Sequence, residues 1–216
     1  MTLILLAGGK STRLGIEKAF LELEGRLLIE QIICKLMDLF DDVLIISSGN
    51  IDKLNKIANK ISVKYRLKGK RRIVVKQDLI KNKGPLGGIY SGLFYSKTKN
   101  NFVIACDMPF VNHNLISFMW RLANRYNFHI IVPKISNFIE PLHAVYSKDV
   151  LKKIKKQIES GNLKIFDFIN KIEKTKVRYI TKEEIERFDK NRLCFFNLNN
   201  ISDLKKAKSS LSAGKI

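Results

Sequence analysis

The residues best suited to chemistry lie in one short segment near the start of the chain. Gly8 and Gly9 follow an apolar run, and a serine and three cations come within the next nine residues: Lys10, Ser11, Arg13 and Lys18. Adjacent glycines let the backbone approach a phosphate closely and expose its N–H groups as donors. Backbone donors together with mobile positive charge are what a triphosphate requires. The segment therefore predicts a phosphate-binding loop rather than an ordinary glycine turn.

Two familiar phosphate motifs do not fit this loop. Gly9-Lys10-Ser11 resembles the end of a P-loop, but the consensus GxxxxGK[ST] requires a glycine at position 4, where the chain has Ile4. A GxGxxG pattern is also absent from the loop, because the next glycine after the adjacent pair is Gly15. The sequence therefore disfavours both a P-loop NTPase and a dinucleotide dehydrogenase.

Asp107 is the candidate metal ligand. It directly follows the apolar run Phe102–Cys106 and precedes Met108-Pro109. A carboxylate at a strand end suits Mg²⁺, a hard cation that takes oxygen ligands and bridges phosphates. An aspartate in this position can equally be a turn or cap residue, so the spacing alone leaves both roles open.

A second glycine-rich turn precedes a helical pattern, in the order Gly84-Pro85-Leu86-Gly87-Gly88. Proline suits the first turn of a helix, where its missing N–H costs nothing. Such a turn also lets the backbone and a helix N-terminus approach an anionic ligand. The pattern fits a ligand-binding turn and an ordinary helix start alike.

Alternating strands and helices must position these residues. The sequence predicts strands at 3–7, 42–47, 73–75, 102–106, 129–132 and 177–180, and helices at 27–39, 51–61, 84–95, 113–126, 149–160, 164–172 and 202–207. This alternation indicates an α/β fold with a mostly parallel sheet covered by helices on both faces. In such sheets ligands bind beyond the carboxyl ends of the strands, where both glycine turns and Asp107 would lie.

The charge of the chain favours an anionic partner. Lys and Arg outnumber Asp and Glu by 40 to 20, which gives a net charge of +20 over 216 residues. Nucleotides, nucleic acids and anionic surfaces all qualify, and solvated helix faces rich in lysine account for part of the excess. The densest basic cluster, at 64–72, is predicted to be a surface loop. No RRM, KH or zinc-finger signature is present, which argues against nucleic-acid recognition.

The cysteines and the apolar runs predict the compartment. Cys34, Cys106 and Cys194 are odd in number and form no CxxC pair, and the last two lie in apolar runs. Buried free thiols suit a reducing compartment. The N-terminal apolar stretch lacks a basic region, and no later run approaches the length of a membrane span. We therefore expect a cytoplasmic protein with no membrane partner.

At this point the motifs resemble a known family. Residues 6–15, LAGGKSTRLG, with the nearby Lys18, are similar to the signature LAGGxSxRMG-x-DK of sugar-phosphate-type nucleotidyltransferases. Four further segments resemble the molybdenum cofactor guanylyltransferases: GPLGGI at 84–89, ACDMP at 105–109, EPLHAVY at 140–146 and FNLNN at 196–200. The matches follow the order of the family from residue 6 to about residue 204. The resemblance implies a Rossmann-like nucleotidyltransferase fold, with three αβα layers and a mostly parallel mixed sheet.

The resemblance also implies roles for individual residues. Contacts to GTP are implied for Leu6, Ala7, Gly8, Gly9, Ser11, Lys18, Asn50, Asp78, Gly84, Pro85, Leu86, Gly88 and Asp107. Catalysis is implied for Arg13, Lys18 and Asp107, with Mg²⁺ on Asp107, and acceptor binding for Lys164, Asn197 and Asn199. His143 would serve packing and hydrogen bonding. The chain would form one domain, 1–216, with a GTP-binding half at about 1–110 and an acceptor half at about 111–208.

The implied reaction is attack by the terminal phosphate of molybdopterin cofactor on the α-phosphorus of GTP. Proteins that make or use the cofactor would be its partners. The chain departs from the family pattern at Glu17, which replaces an aspartate, at Lys164, which stands where an arginine is usual, and at Asn200-Ile201, which replaces Thr-Pro. The last two departures concern the acceptor end. At the first of them, Lys164 can supply charge but cannot form the bidentate fork of an arginine.

Three alternatives remain open at this stage. The first keeps the fold and changes the substrates, as in a cytidylyltransferase or an enzyme acting on a sugar or isoprenoid phosphate. The second is a basic nucleic-acid-binding protein. The third is a catalytically silent relative that binds nucleotide for regulation, which the presence of Arg13, Lys18 and Asp107 disfavours.

Overall fold

A central sheet runs through the part of the chain that the structure, a computed structural model, describes: residues 1–8, 18–66, 72–198 and 202–203. In chain order the strands are Thr2–Leu6 (β1), Glu22–Leu23 (β2), Arg26–Leu27 (β3), Asp42–Ser47 (β4), Arg72–Gln77 (β5), Asn100–Ala105 (β6), Ile130–Ile135 (β7), Phe138–Ile139 (β8), His143–Ser147 (β9) and Val177–Ile180 (β10). The α-helices are Leu28–Leu36 (α1), Ile51–Lys64 (α2), Gly84–Tyr95 (α3), His113–Arg125 (α4), Leu151–Glu159 (α5), Ile165–Asn170 (α6) and Lys182–Glu186 (α7).

The main sheet is mixed but mostly parallel. Its strand order is β10-β7-β9-β6-β1-β4-β5, and β8 pairs with β7 at the side. β9 runs antiparallel to both of its neighbours, and the short β8 is antiparallel to β7, while β10-β7, β6-β1, β1-β4 and β4-β5 are parallel pairs. The short β2 and β3 form a separate antiparallel hairpin. The predicted sheet class is confirmed.

The sheet is covered on both faces, as its continuous apolar strands require. Alternate residues of β1 enter two different cores: Leu3 and Leu5 pack on the side of α1, α2 and α4, whereas Ile4 and Leu6 pack on the side of α3, α5 and α6. A strand buried on both faces reads as an unbroken apolar run, which is why residues 3–7 stood out in the sequence. The three layers implied by the family resemblance are confirmed.

The segment at 138–147 was not predicted as strand. β9 lies between β6 and β7 in the sheet and is buried throughout, but His143 and Ser147 interrupt its apolar pattern. Pro141 separates β9 from the two-residue β8, which is too short to show a period of its own. The short helix α7 was also missed; its ends are fixed by a capping box between Thr181 and Glu184 rather than by a long apolar face.

Several sequence-based expectations concern the surface and the thiols. Cys106 and Cys194 are buried free thiols, as expected, and Cys34 is partly exposed. The basic cluster at 64–72 begins in the last residue of α2 and ends in the first residue of β5, and 67–71 lie outside the described residues. The predicted final helix at 202–207 falls almost entirely outside them. No helix in the described ranges is long and apolar enough to cross a membrane.

Candidate nucleotide-binding site

A cavity of about 820 Å³ opens beyond the carboxyl ends of β1, β4 and β6. Its lining is drawn from segments far apart in sequence: Leu6, Ala7, Gly8, Lys18, Ile46, Ser47, Ser48, Gly49, Asp78, Asn82, Gly84, Pro85, Gly88, Ala105, Cys106, Asp107, Glu140, Leu142 and Asn197. The position is the one where ligands of parallel α/β sheets bind, and the volume lies within the usual range for small-molecule sites.

Backbone hydrogen bonds fix the floor of the cavity at the end of β1. The Ala7 N–H donates to the Ile46 carbonyl at 2.8 Å, and the Ser47 hydroxyl donates to the Ala7 carbonyl at 3.2 Å. The same hydroxyl accepts from the Gly49 N–H at 3.0 Å. These contacts hold the ends of β1 and β4 together, so that Gly8 leaves the sheet from a defined position.

The start of α3 forms one wall, and glycine is needed there for space. A Cβ at Gly88 would lie 3.1 Å from Leu6 Cδ2, which is tighter than ordinary packing allows. Gly84 has a φ of +58°, in the left-handed region that favours glycine, and Pro85 follows it in the first turn of the helix. The wall therefore presents backbone and the positive end of a helix to the cavity.

Asp78 enters the cavity from the end of β5. Its N–H donates to the Ser47 carbonyl at 2.9 Å, and its Oδ1 accepts from the Ile80 N–H at 3.2 Å and lies 2.6 Å from the Ser91 hydroxyl. The carboxylate is thus oriented by the first turns of α3 and the loop before them. Sequence reasoning named this aspartate, and the structure places it in the cavity lining.

Asp107 and Lys18 form an ion pair on the opposite side. Lys18 Nζ lies 2.6 Å from Asp107 Oδ2, although 89 positions separate the two residues. Asp107 is 9% exposed, and its Oδ1 is buried with no hydrogen-bond partner among the described residues. The Leu198 N–H donates to the Asp107 carbonyl at 2.9 Å, which brings Asn197 to the same wall.

Glu140 also faces this cavity, and sequence reasoning did not assign it to the site. It is 8% exposed. Burial raises the pKa of its carboxyl to about 7, the Leu142 N–H lowers it and the charge of Asp107 raises it. The only sequence feature that pointed to Glu140 was its position as the first residue of the EPLHAVY segment. The direction of its side chain depends on β8 and β9, and neither strand was predicted.

The residues of this wall fit a divalent cation. The buried Asp107 Oδ1 has a free acceptor site, and carboxylate oxygen is the ligand type that Mg²⁺ prefers. The described ranges contain no group of three or more His, Cys, Asp or Glu arranged to hold a metal. Mg²⁺ is usually bound by one or two carboxylates together with substrate phosphates, so the donor set matches that mode.

The structure brings most of the predicted residues together. The cavity lining includes Leu6, Ala7, Gly8, Lys18, Asp78, Gly84, Pro85, Gly88, Asp107 and Asn197. Three predicted residues that the structure describes, Asn50, Leu86 and Lys164, are not among the lining residues. Gly9, Ser11, Arg13 and Asn199 lie outside the described residues.

Each residue that does not line the cavity has another structural position. Asn50 is the N-cap of α2, where its side chain accepts from the Lys53 N–H at 2.9 Å. Leu86 is fully buried and packs in the core beneath α3. Lys164 is exposed before α6, and its carbonyl accepts from the Gln157 side chain at 2.9 Å. Their predicted ligand contacts remain predictions.

His143 is a buried packing residue behind this wall. Its ring meets Phe102 and Phe195 edge to face, with centroid distances of 5.1 and 5.2 Å. Neither ring nitrogen has a hydrogen-bond partner among the described residues, whereas the backbone N–H donates to the Glu140 carbonyl at 3.2 Å. The predicted packing is confirmed, and the hydrogen bond within this segment comes from the backbone rather than from the ring. Burial lowers the pKa of His143 to about 3, against the charge of Asp189, which raises it.

A second, smaller cavity of about 220 Å³ lies at the opposite edge of the sheet, near Thr2, Asp42, Arg72 and Tyr95. These residues begin β1, β4 and β5 or end α3. None of the predicted site residues lines it. The candidate site is therefore the larger cavity at the carboxyl edge.

Comparison with known proteins agrees with this geometry. Residues 3–175 match the model of the MobA-like NTP transferase domain family. A protein of Natranaerobius thermophilus, named as a probable molybdenum cofactor guanylyltransferase, is 34% identical over 209 residues, which cover 96% of this chain and 95% of that protein. One of Desulfosudis oleivorans, named molybdenum cofactor guanylyltransferase, is 31% identical and spans 100% of this chain and 98% of the relative.

A solved structure extends the similarity to three dimensions. Molybdopterin-guanine dinucleotide biosynthesis protein A from Archaeoglobus fulgidus superposes with a TM-score of 0.78 at 28% sequence identity. The match covers 99% of this chain and 100% of that one. Sequence and fold thus point to the same group of proteins.

Proposed function

The chain belongs to the MobA-like NTP transferase family, and we propose that it transfers GMP from GTP to the terminal phosphate of molybdopterin cofactor, releasing pyrophosphate. One observation carries this proposal. A single cavity at the carboxyl edge of the sheet gathers Gly8, Lys18, Asp78, Gly88 and Asp107, which come from five separate segments of the chain. The names of the relatives supply the guanylyl donor and the cofactor acceptor.

The nucleoside of GTP would lie on the side of the cavity formed by β1, β4 and the start of α3. Here the wall is backbone and small side chains, with Gly8, Ser47 and Gly88 among them. Because Gly88 has no side chain, the wall beside Leu6 leaves room for a base, where an added Cβ would lie 3.1 Å from Leu6 Cδ2. Asp78 supplies an oriented carboxylate, which can accept hydrogen bonds from N–H groups of a base or from a ribose hydroxyl.

The reaction forms one P–O bond and breaks another. An oxygen of the acceptor phosphate attacks the α-phosphorus of GTP, and the bond from that phosphorus to the β-phosphate oxygen breaks, with both electrons leaving on pyrophosphate. The attacking phosphate is already anionic, so no general base is required. Catalysis rests on alignment and on neutralising charge in the transition state.

Lys18 and Asp107 are the described residues placed for this task. Lys18 would neutralise charge that develops on the leaving pyrophosphate, and the loop residue Arg13 belongs to the same proposal. Asp107 would hold Mg²⁺ through its unpartnered Oδ1. When bound, Mg²⁺ supplies electrostatic stabilisation of phosphate oxygens.

The acceptor side of the proposal involves the later part of the chain. Asn197 lines the cavity beside Asp107, and its side-chain N–H groups can donate hydrogen bonds to the oxygens of the acceptor phosphate. Lys164 and Asn199 complete the acceptor set in the proposal. Proteins that make or receive the cofactor would be the partners, and a cytoplasmic location fits the free thiols Cys106 and Cys194.

A turnover assay tests the proposal. The purified chain is incubated with molybdopterin, Mg²⁺ and GTP, CTP, ATP or UTP in turn, and pyrophosphate and dinucleotide are measured. We expect product with GTP in clear excess over the other nucleotides. Product with CTP would instead make the chain a cytidylyltransferase of the same fold, and no product with any nucleotide would overturn nucleotidyl transfer.

Asp107→Asn sharpens this assay because it removes a charge at nearly constant volume. We expect turnover to fall by about 10²–10³-fold, the range seen when one preorganised electrostatic group is removed. Asp149→Asn is the matched control, since Asp149 is partly exposed and pairs with Lys99 away from the cavity. Equal turnover of the two variants would remove Asp107 from the mechanism.

A further inference from the structure

Carboxylates are concentrated in the wall of the cavity. The described lining holds three acidic residues, Asp78, Asp107 and Glu140, and one cation, Lys18. Asp78 is hydrogen-bonded to Ser91 and Ile80, whereas Asp107 and Glu140 both line the cavity, and the charge of Asp107 raises the pKa of Glu140. Within this described lining, two largely buried carboxylates beside one ammonium are costly in a site for an anionic substrate, unless a further cation joins them.

We infer that Glu140 is the second carboxylate of the divalent-cation site, acting with Asp107. The inference rests on the proposed function, which places a cation on Asp107, and it assigns to Glu140 a role that the sequence motifs did not. Two carboxylates with substrate phosphates form the donor set in which Mg²⁺ is commonly found.

The position of Glu140 suits this role because its backbone is fixed on both sides. Its N–H donates to the Pro133 carbonyl at 3.0 Å, and its own carbonyl accepts from the His143 N–H at 3.2 Å. Glu140 lies in the short connection between β8 and β9, and these bonds attach that connection to β7 and to the start of β9. A side chain whose backbone is held by neighbouring strands can be aimed at a cation with little loss of entropy on binding.

The hydrogen bonding of the Asp107 carboxylate supports the same conclusion. Lys18 Nζ contacts Asp107 Oδ2, while the buried Oδ1 of the same carboxylate has no hydrogen-bond partner among the described residues. An unsatisfied buried carboxylate oxygen is expensive, and a cation held between Oδ1 and Glu140 would satisfy it.

A simpler role for Glu140 would be structural. The Leu142 N–H lowers the pKa of the Glu140 carboxyl, and this interaction would by itself stabilise the turn between β8 and β9. Glu140→Gln separates the two roles, because the amide oxygen can still accept from that N–H while the negative charge is lost. Glu140→Asp keeps the charge on a shorter side chain and provides a second variant.

The test is a Mn²⁺ titration of the full chain, with free Mn²⁺ followed by electron paramagnetic resonance, first without nucleotide and then with saturating GTP. We expect Glu140→Gln and Asp107→Asn each to weaken Mn²⁺ binding by at least about tenfold, because even indirect partners of a metal ligand contribute that much. Glu140→Asp should fall between Glu140→Gln and the unmodified chain. Glu159→Gln is the matched control, since Glu159 is exposed on α5.

Two results would overturn the inference: Mn²⁺ binding by Glu140→Gln equal to that of the Glu159→Gln control, or no Mn²⁺ binding by the unmodified chain in either condition. GTP binding in EDTA and a thermal melt show that each variant retains its folded site. The proposed function is judged separately by turnover. A chain that makes no dinucleotide but loses Mn²⁺ affinity on Glu140→Gln would support the inference and reject the function.

Discussion

Two sides of the same cavity are lined by different kinds of groups. The donor side is defined by Leu6–Gly8, Ser47–Gly49, Asp78, Gly84, Pro85 and Gly88. It consists largely of backbone, glycine and small side chains held by hydrogen bonds. The Asp107 side, defined by Lys18, Asp107, Glu140 and Asn197, consists of charged and amide side chains brought from four distant segments. One side provides shape and the other provides charge.

This difference predicts opposite sensitivities. Added volume should damage the donor side, because its wall is already in close contact with the sheet. Loss of charge at constant volume should damage the Asp107 side, because the proposed mechanism assigns it the preorganised charge that stabilises the transition state. The substitutions below separate the two effects.

The largest effect is expected from Lys18→Met, which removes the charge on the Asp107 side and keeps an unbranched side chain. We expect kcat/KM for GTP to fall by about 10²–10³-fold, since a preorganised electrostatic group is lost. Lys76→Met, at an exposed position of β5, is the control and should leave kcat/KM unchanged. A loss confined to thermal stability would show that Lys18 only balances Asp107.

Gly88→Val tests the donor side by adding volume without changing charge. A Cβ at this position already lies 3.1 Å from Leu6 Cδ2, so the branched side chain must extend into the cavity. We expect KM for GTP to rise about tenfold to hundredfold with little change in kcat, because a change of one or two methyl groups in a pocket typically alters binding by that factor.

Gly92→Ala is the control on the same helix. Its Cβ would meet Ile4 Cγ2 at 2.4 Å inside the core, away from the cavity. We expect a loss of about 1–3 kcal/mol in the free energy of unfolding from overpacking, and an unchanged KM for GTP. If instead Gly92→Ala raised KM as much as Gly88→Val, the donor side would be sensitive to stability rather than to shape.

The two sides also differ in how well the sequence predicted them. Strands β1, β4 and β6 each contain an unbroken apolar run, and a glycine or aspartate stands two residues after each strand: Gly8, Gly49 and Asp107. Both the strands and the residues beyond their ends could therefore be read locally. Glu140 could not, because its direction depends on β9 entering the sheet antiparallel between β6 and β7. The polar residues His143 and Ser147 interrupt the apolar pattern of β9, so the strand is recognised only from its pairing in the structure.

Asn50 shows a role that local spacing leaves open. A polar residue after a strand predicts a ligand contact and a helix N-cap equally well, and the structure uses its side chain as the cap of α2. Lys164 was placed by the resemblance at a position where the family has an arginine, and in the structure it is an exposed residue before α6. Local spacing does not report which way such side chains point.

A smaller effect concerns the buried histidine that supports the Asp107 side. His143 has a folded-state pKa of about 3, below its ordinary value of 6.5, so the native state favours the neutral ring. The unfolded chain therefore binds a proton that the native state does not between these two values, and stability falls as the pH drops below about 6.5. The slope contributed by this residue is at most about 1.4 kcal/mol per pH unit.

His143→Leu tests this origin, because leucine is of similar volume and neither ring nitrogen has a described partner to lose. We expect its melting temperature to equal or exceed that of the unmodified chain at pH 7.5 and to exceed it by a wider margin at pH 5. His113→Gln, at a partly exposed site that pairs with Asp38, is the control. A margin independent of pH would assign the acid sensitivity to other groups.

The smallest effect on catalysis is expected from Lys164→Ala, and Asn197→Ala provides the comparison. The quantity compared is KM for molybdopterin. Asn197 lines the cavity beside Asp107, whereas Lys164 is exposed and is not among the lining residues. We expect Asn197→Ala to raise KM for molybdopterin by about tenfold, the effect of one or two lost hydrogen bonds to a charged group. Lys164→Ala should raise it by less than about threefold, with the difference disappearing at high salt, because exposed charges are screened. If Lys164→Ala raised KM as much as Asn197→Ala at high salt, direct contact with the acceptor would follow, and the Asp107 side would extend to the start of α6.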